Sequence, residues 1–422
     1  MIENIILQHK VEKDRLLSEK YISREKLSRA KEYLDHDLIK VITGPRRAGK
    51  SVFSVLLLKN KNFAYVNFDD DNLLKINNSD EIIKGISQVY PENKFILFDE
   101  IQNLEKWEIF VNKLQRRGHN LIITGSNARL LSRELATVLT GRYISIEILP
   151  FSFKEFLLAK DFKLEEEYLK LPQMQGKILN ILHEYITKGG FPEIVVKEID
   201  PRLYLETLFD AILFKDVVKR HNVRFSQKIY ELALYLITNF CCQFSFTKVK
   251  NILEFRSTNT VQNYLKYLEE AFLFFSLNRF SLKIKEQLKA SKKIYLVDNG
   301  LILAKSFQFS RNIGRLMENL VFTELLRKGY KINQNLFYYR TRNGREIDFL
   351  LKKGNTIQRL IQVCFDIEEL NVKKRELKAL SEANEELDCD DLLVISWDYE
   401  KEETLKGRKI KFVPLWKWLL LP

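Results

Sequence analysis

Eight consecutive residues, Gly44-Pro45-Arg46-Arg47-Ala48-Gly49-Lys50-Ser51, carry the most specific chemistry in the chain. They satisfy the pattern G-x-x-x-x-G-K-[S/T], in which every fixed position has a physical task. Gly44 and Gly49 permit a tight turn, so backbone N–H groups converge on phosphate oxygens. Lys50 reaches the β- and γ-phosphates of a nucleotide, and the Ser51 hydroxyl holds Mg²⁺. Val52 lies in the first turn of the helix that follows, whose positive end faces the same anion. An accidental glycine loop is a poor alternative in a chain with only 15 Gly in 422 residues.

A second element supplies the acids that such a site needs. The apolar run Phe95-Ile96-Leu97-Phe98 ends in Asp99-Glu100. Asp99 is suited to hold Mg²⁺ through water, and Glu100 to orient and deprotonate the attacking water. On their own the pair would read as solvated carboxylates at a strand end. A further strand ends in Thr124-Gly125-Ser126-Asn127. Ser126 and Asn127 are candidates to touch the γ-phosphate or the lytic water, and Asn127 fits equally as a helix N-cap. Arg142 suits transition-state charge on the γ-phosphate, often served from a neighbouring subunit. Its alternative is a solvated loop arginine. In the first case the protein must assemble, as a homo-oligomer, to hydrolyse efficiently.

These residues need strands and helices to hold them. Candidate strands at 38–43, 63–68, 94–98, 120–124 and 143–148 alternate with helical stretches at 50–59, 79–89, 105–117 and 127–139. Such alternation implies a parallel sheet with helices on both faces, and nearly all-apolar strands agree with it. Residues 1–37 read as a charged, mostly helical, solvated flank. After Pro150 the pattern turns helical at 152–160, 164–170, 174–187 and 201–219, with a turn at Gly189-Gly190-Phe191-Pro192. From 226 to 295 come helices, the last over 260–271 capped by Ser257-Thr258-Asn259, and a strand or wing over 272–280. A helix at 311–329, strands at 336–340, 346–351 and 357–364, a helix near 370–386 and a strand at 391–396 complete an α/β module.

Composition bounds the partners. Hydrophobic content of 45% and charge of 30% describe a globular chain large enough for two or three domains. No apolar run approaches the roughly 18 residues of a membrane span, and the N-terminus lacks a signal-peptide core. A cytoplasmic protein without a membrane partner is expected. Cys241, Cys242, Cys364 and Cys389 lack metal-ligand spacing and read as reduced thiols. The net charge of +13 is spread evenly along the chain. It modestly favours a polyanionic partner such as nucleic acid, and it fits a solvated lysine-rich surface as well.

GPRRAGKS, FILFDEIQ, ITGSNARLL and LTGRYISIEILPFSFKEF, in that order, resemble the prokaryotic AAA-type ATPases with an uncharacterised C-terminal half. The resemblance covers essentially the whole chain. It implies that Lys50, Ser51, Asp99 and Glu100 bind and hydrolyse ATP with Mg²⁺, and it puts the family's L-x-G-R arginine on Arg142. The implied fold is α/β: a P-loop NTPase parallel sheet (1–150), a helical lid or linker (151–225), a winged-helix-like domain (226–300) and a restriction-endonuclease-like module (301–422).

Within the winged-helix segment, the helix in STNTVQNYLKYLEEAFLFFSLNRF would enter a DNA groove with Asn259, Gln262, Asn263 and Lys266 outward. Its apolar bulk serves a packing or oligomerisation module equally well. Arg279, Lys283, Lys285, Lys289, Lys292 and Lys293 form a basic cluster for phosphates or a solvated face. In the nuclease-like module the resemblance singles out Glu318 and Asp348. The next strand carries Gln362 where a second carboxylate is needed and Cys364 where a lysine is needed. A neutral amide binds a hard cation poorly and a thiol supplies no ammonium, so cleavage is not expected. Glu346, two residues before Asp348, is read as facing the other side of the strand. The expected function is a Mg²⁺-dependent ATPase that couples nucleotide state to its C-terminal modules. The alternatives are a nucleotide-gated DNA-binding switch with negligible turnover, and a metal-dependent nuclease.

Overall fold

The computed structural model describes residues 2–76, 79–127, 141–165, 167–306, 313–405 and 407–421. The chain divides into two units. One comprises Met1–Phe151 with Glu270–Phe272, and the other Ser152–Glu269 with Leu273–Pro422.

In the first unit, five runs rich in β-branched and aromatic residues form strands: β1 Ile39–Thr43, β2 Phe63–Asn67, β3 Phe95–Asp99, β4 Asn120–Gly125 and β5 Tyr143–Glu147. All pair in parallel, in the order β2-β3-β4-β1-β5. Side chains alternate across the strands, so each face has its own core. Ile39, Val41, Val66, Phe98 and Ile123 pack under helices Ile2–Ser18, Ser79–Val89 and Trp107–Arg116. Ile42, Tyr65, Leu97 and Ile122 pack against Leu27–Glu32 and Lys50–Leu58. Crossover helices on both faces leave the carboxyl ends of β1 and β3 free to carry loops, with β4 between them.

One expectation needs correcting here. The N-terminal flank is more than a solvated arm, because Ile5, Ile6 and His9 of its helix are buried. The helix expected at 127–139 falls, from residue 128 on, outside the described residues.

The second unit opens with helices Phe153–Ala159, Pro172–Lys188, Pro192–Lys197 and Pro201–Ala211, the last running into a π-helical turn over Ile212–Lys219. Ser152 and Glu155 form a reciprocal capping box on the first of these. Helix Ser226–Thr238, β6 Gln243–Phe244, helices Phe246–Ile252 and Thr258–Glu270, β7 Phe274–Asn278 and β8 Lys292–Leu296 follow. Ser257 accepts the N–H of Thr260, which caps Thr258–Glu270 as expected. The three strands form a small antiparallel sheet, β6-β8-β7.

Beyond helix Ile313–Arg327 lies a six-stranded mixed sheet in the order β13-β14-β12-β11-β10-β9. Its strands are β9 Leu336–Arg340, β10 Glu346–Lys353, β11 Thr356–Cys364, β12 Leu392–Ser396, β13 Lys401–Leu405 and β14 Arg408–Pro414, with helix Leu370–Leu387 packed on it. The hairpin β13–β14 is not anticipated by the sequence pattern. Lys401, Glu402, Glu403, Arg408, Lys409 and Lys411 are charged, so it shows no long apolar run. Among the described residues no helix is long and apolar enough to cross a membrane.

Candidate nucleotide-binding site

The glycine loop follows β1 and enters helix Lys50–Leu58 at Gly49, whose φ of 89° is left-handed. Gly44 has φ 144°, and a Cβ there would lie 1.9 Å from the carbonyl oxygen of Ile148. Glycine is needed at both positions, at Gly44 because the end of β5 also presses against the loop. Arg24 braces the loop from outside. It donates to the carbonyls of Ala48 (2.9 Å) and Leu149 (2.6 Å).

Lys50 is 4% exposed, although it is a lysine. Its ammonium donates to the Pro45 carbonyl at 3.0 Å and lies 3.6 Å from Glu100 Oε1. Ala48 is buried, Ser51 and Val52 are half-buried at the helix start, and of the two loop arginines Arg46 is half-buried and Arg47 exposed.

The acids sit opposite, at the end of β3. Asp99 is 4% exposed and accepts hydrogen bonds from two hydroxyls, Thr124 on Oδ1 and Tyr65 on Oδ2 at 3.1 Å, with the Ser51 hydroxyl close by. Burial, and then the charge of Glu100, pushes its carboxyl up to about 6. Glu100 has φ 51° and donates its backbone N–H to Thr124 Oγ1 at 3.0 Å. Its carboxylate accepts from Gln102 and, at 3.1 Å, from Ser126. Burial would raise Glu100, but Lys50, Gln102, Arg46 and Ser126 outweigh it and hold the group below the usual range.

The residues expected from the sequence are therefore brought together: the loop, Lys50, Ser51, Asp99, Glu100 and Ser126 share one cleft. Asn127 is buried at the end of β4. Arg142 is exposed at the approach to β5, and its carbonyl accepts the N–H of Ile39 at 3.0 Å. Sequence reasoning missed Tyr65, Thr124 and Gln102. Tyr65 comes from the edge strand, 34 residues before its acceptor, and no local spacing announces it. The Ser51 hydroxyl close to the Asp99 carboxylate is an oxygen-donor pair of the kind a hard divalent cation takes, so these residues fit Mg²⁺.

In the second unit Asn259, Gln262, Asn263 and Lys266 lie along helix Thr258–Glu270, and all four are exposed. Of the basic cluster, Lys283, Lys285 and Lys289 are exposed, while Lys293 is fully buried and cannot meet a phosphate backbone. Lys293 instead lies among Glu318, Glu346 and Asp348. Glu346 and Asp348 thus share a face of β10, as residues two apart on a strand must, which corrects the opposite placement expected for Glu346. Among the described residues no group of three or more His, Cys, Asp or Glu side chains is arranged to hold a metal ion. All four cysteines are free thiols.

A parallel sheet of order β2-β3-β4-β1-β5, with a glycine loop after β1 and paired acids after β3, defines an AAA-type P-loop ATPase fold. Residues 36–157 match the family model of the AAA domain. Residues 179–311 and 313–418 match two families described as domains of unknown function, DUF8612 and DUF4143. An uncharacterized protein of Methanocaldococcus jannaschii is 39% identical over 399 residues, covering 90% of this chain and 88% of its own. One of Haemophilus influenzae is 32% identical over 420 residues, covering 95% and 99%. The chain belongs to the family of these two proteins. Among solved structures, a Walker-type ATPase of Pyrococcus abyssi is similar with a TM-score of 0.44 and 14% identity, over 68% of this chain and 99% of that one. The Orc1 protein of Aeropyrum pernix, solved in complex with DNA, gives a TM-score of 0.32 at 11% identity, over 74% and 97%.

Proposed function

We propose that the protein binds ATP at the loop 44–51 and hydrolyses it to ADP and phosphate with Mg²⁺. The observation that carries this reading is the meeting of Ser51 with Asp99 and of Lys50 with Glu100 in one buried cleft. Backbone N–H groups of the loop hold the phosphates. Lys50 leaves Pro45 and Glu100 to meet the β- and γ-phosphates, and it neutralises charge that develops there. Ser51 and Asp99 would hold Mg²⁺, which would supply positive charge to offset that of the phosphates. Glu100, kept ionised by its neighbours, takes a proton from the attacking water. Ser126 and Asn127 line the same end of the cleft. Arg142, exposed, serves the site of a neighbouring subunit.

Turnover and nucleotide binding of three variants test the reading. Lys50→Ala loses nucleotide binding. Glu100→Gln binds ATP and does not turn it over. Arg142→Ala binds but turns over slowly, and recovers when mixed with Lys50→Ala. Robust hydrolysis by both Lys50→Ala and Glu100→Gln would falsify the assignment.

A second reading, compatible with the first, concerns the segment 226–296. Its order of helix, strand, two helices and two antiparallel strands, joined through the short helix Ile284–Lys289, supports a winged-helix reading, and its second long helix presents polar residues to solvent on successive turns. We infer duplex DNA binding through this helix and through Lys283, Lys285 and Lys289. Replacing the three lysines by Ala should flatten the salt dependence of duplex binding, by about 0.9 in log–log slope for each phosphate no longer neutralised. An unchanged slope would remove this inference.

A further inference from the structure

The carboxylates singled out by the nuclease resemblance do converge, in a pocket of about 670 Å³ whose lining includes Glu318, Glu346, Asp348 and Gln362. What they converge on is an ammonium. Lys293 Nζ lies 2.5 Å from Glu318 Oε1, 2.7 Å from Glu346 Oε1 and 3.1 Å from Asp348 Oδ1. An ammonium has three donors; here it donates to Glu346 and Asp348 and is ion-paired with Glu318. These are hydrogen-bond lengths; Mg²⁺ would demand oxygens at about 2.0–2.1 Å in near-octahedral array. The Lys293 side chain is 1% exposed, so bulk cations do not compete for its place. Burial works against its charge, but Glu318 and its neighbours outweigh that and hold the proton firmly.

The remaining partners lock this arrangement. Tyr295 donates to Glu318 Oε1 at 2.7 Å, and Gln243, next to Lys293 across the β6–β8 ladder, donates to Glu346. Val363 N–H holds Asp348 Oδ2 at 2.9 Å. Gln362, where a metal site would need a carboxylate, commits its carbonyl to the Asp348 N–H and its amide to Glu376. Cys364, where the catalytic lysine would stand, is a thiol pushed up to about 12 by burial, and so neutral. Three positions thus depart together from what a hydrolytic metal centre requires: Lys293, Gln362 and Cys364.

We propose that the Lys293 ammonium is the resident cation of this pocket, standing where a divalent ion would stand, so that the module keeps a nuclease-like cleft while excluding metal and cleavage. The proposal is independent of the ATPase reading.

Mn²⁺ binding to the full chain, counted by electron paramagnetic resonance, tests it. The wild type and Asp348→Asn should bind the same number of ions, any bound ion being lost in Asp99→Asn, and neither should nick plasmid DNA with Mn²⁺. Lys293→Met, neutral and of similar length, should acquire one additional Mn²⁺, bound roughly tenfold or more tighter than any at that pocket in the wild type, and its melting temperature should rise with Mn²⁺. A Mn²⁺ ion or nicking activity of the wild type that disappears in Asp348→Asn overturns the proposal, because metal would then coexist with Lys293. A folded Lys293→Met that gains no ion overturns it as well. Should Lys293→Met not fold, the comparison of wild type with Asp348→Asn decides alone.

Discussion

Removing the Tyr65 hydroxyl, as Tyr65→Phe, isolates one hydrogen bond of the candidate site. The hydroxyl donates to Asp99 Oδ2 at 3.1 Å and lies 3.4 Å from Glu12 Oε1. The ring stays, so the packing of Tyr65, which is 1% exposed, is preserved. Glu12 keeps Asn67, so little changes there. Asp99 is buried and loses one of its two hydroxyl donors. A hydrogen bond to a charged group contributes about 1.5–3 kcal/mol. Because Thr124 remains, the lower figure applies, and it corresponds to roughly a tenfold effect. The carboxylate then rotates more freely about its remaining anchors, and its cation suffers most. The assay is turnover against Mg²⁺ at saturating ATP. The half-maximal Mg²⁺ concentration should rise about tenfold, with the melting temperature within a few degrees of wild type. An unchanged Mg²⁺ requirement would refute the claim that Tyr65 orients Asp99.

Two further outcomes follow from buried geometry. Gly44→Ala places a Cβ against the Ile148 carbonyl at a left-handed φ; the strain of about 1–3 kcal/mol should lower both thermal stability and nucleotide affinity, and affinity within about twofold of wild type would contradict it. Asp298, which accepts the N–H groups of Gly190 and Gly300 at 2.8 Å, is pushed up to about 6 by burial. Its folded value lies above its unfolded one, so its contribution is complete below about pH 4 and fades as pH rises through about 6. Relative to Asp298→Asn, the wild type should lose about 3 kcal/mol of unfolding free energy between those limits, read from urea midpoints; a gap independent of pH would count against it.

Much of the nucleotide site is legible in the sequence because its parts are local. Gly44 to Ser51 form one turn, and Asp99-Glu100 end one apolar strand, so spacing alone announces them. The alternation that yields five parallel strands is equally local. What stays hidden is what long-range register decides. Tyr65 and Thr124 reach Asp99 only because β2 and β4 flank β3. Lys293 reads as one more surface lysine, since nothing in Lys292-Lys293 distinguishes the two. The β6–β8–β7 sheet turns the second inward and leaves the first half-exposed. Glu376 and Gln243 escape notice for the same reason.

The buried lysine also bears on ancestry. It belongs to the stretch 179–311, whereas its three carboxylates belong to 313–418. A truncation between the two would strand an ammonium on one fragment and three acids on the other, at several kcal/mol per ion left in the interior. Recombination across that seam is therefore penalised, and the two stretches are expected to be inherited as a single piece, whichever ATPase they accompany.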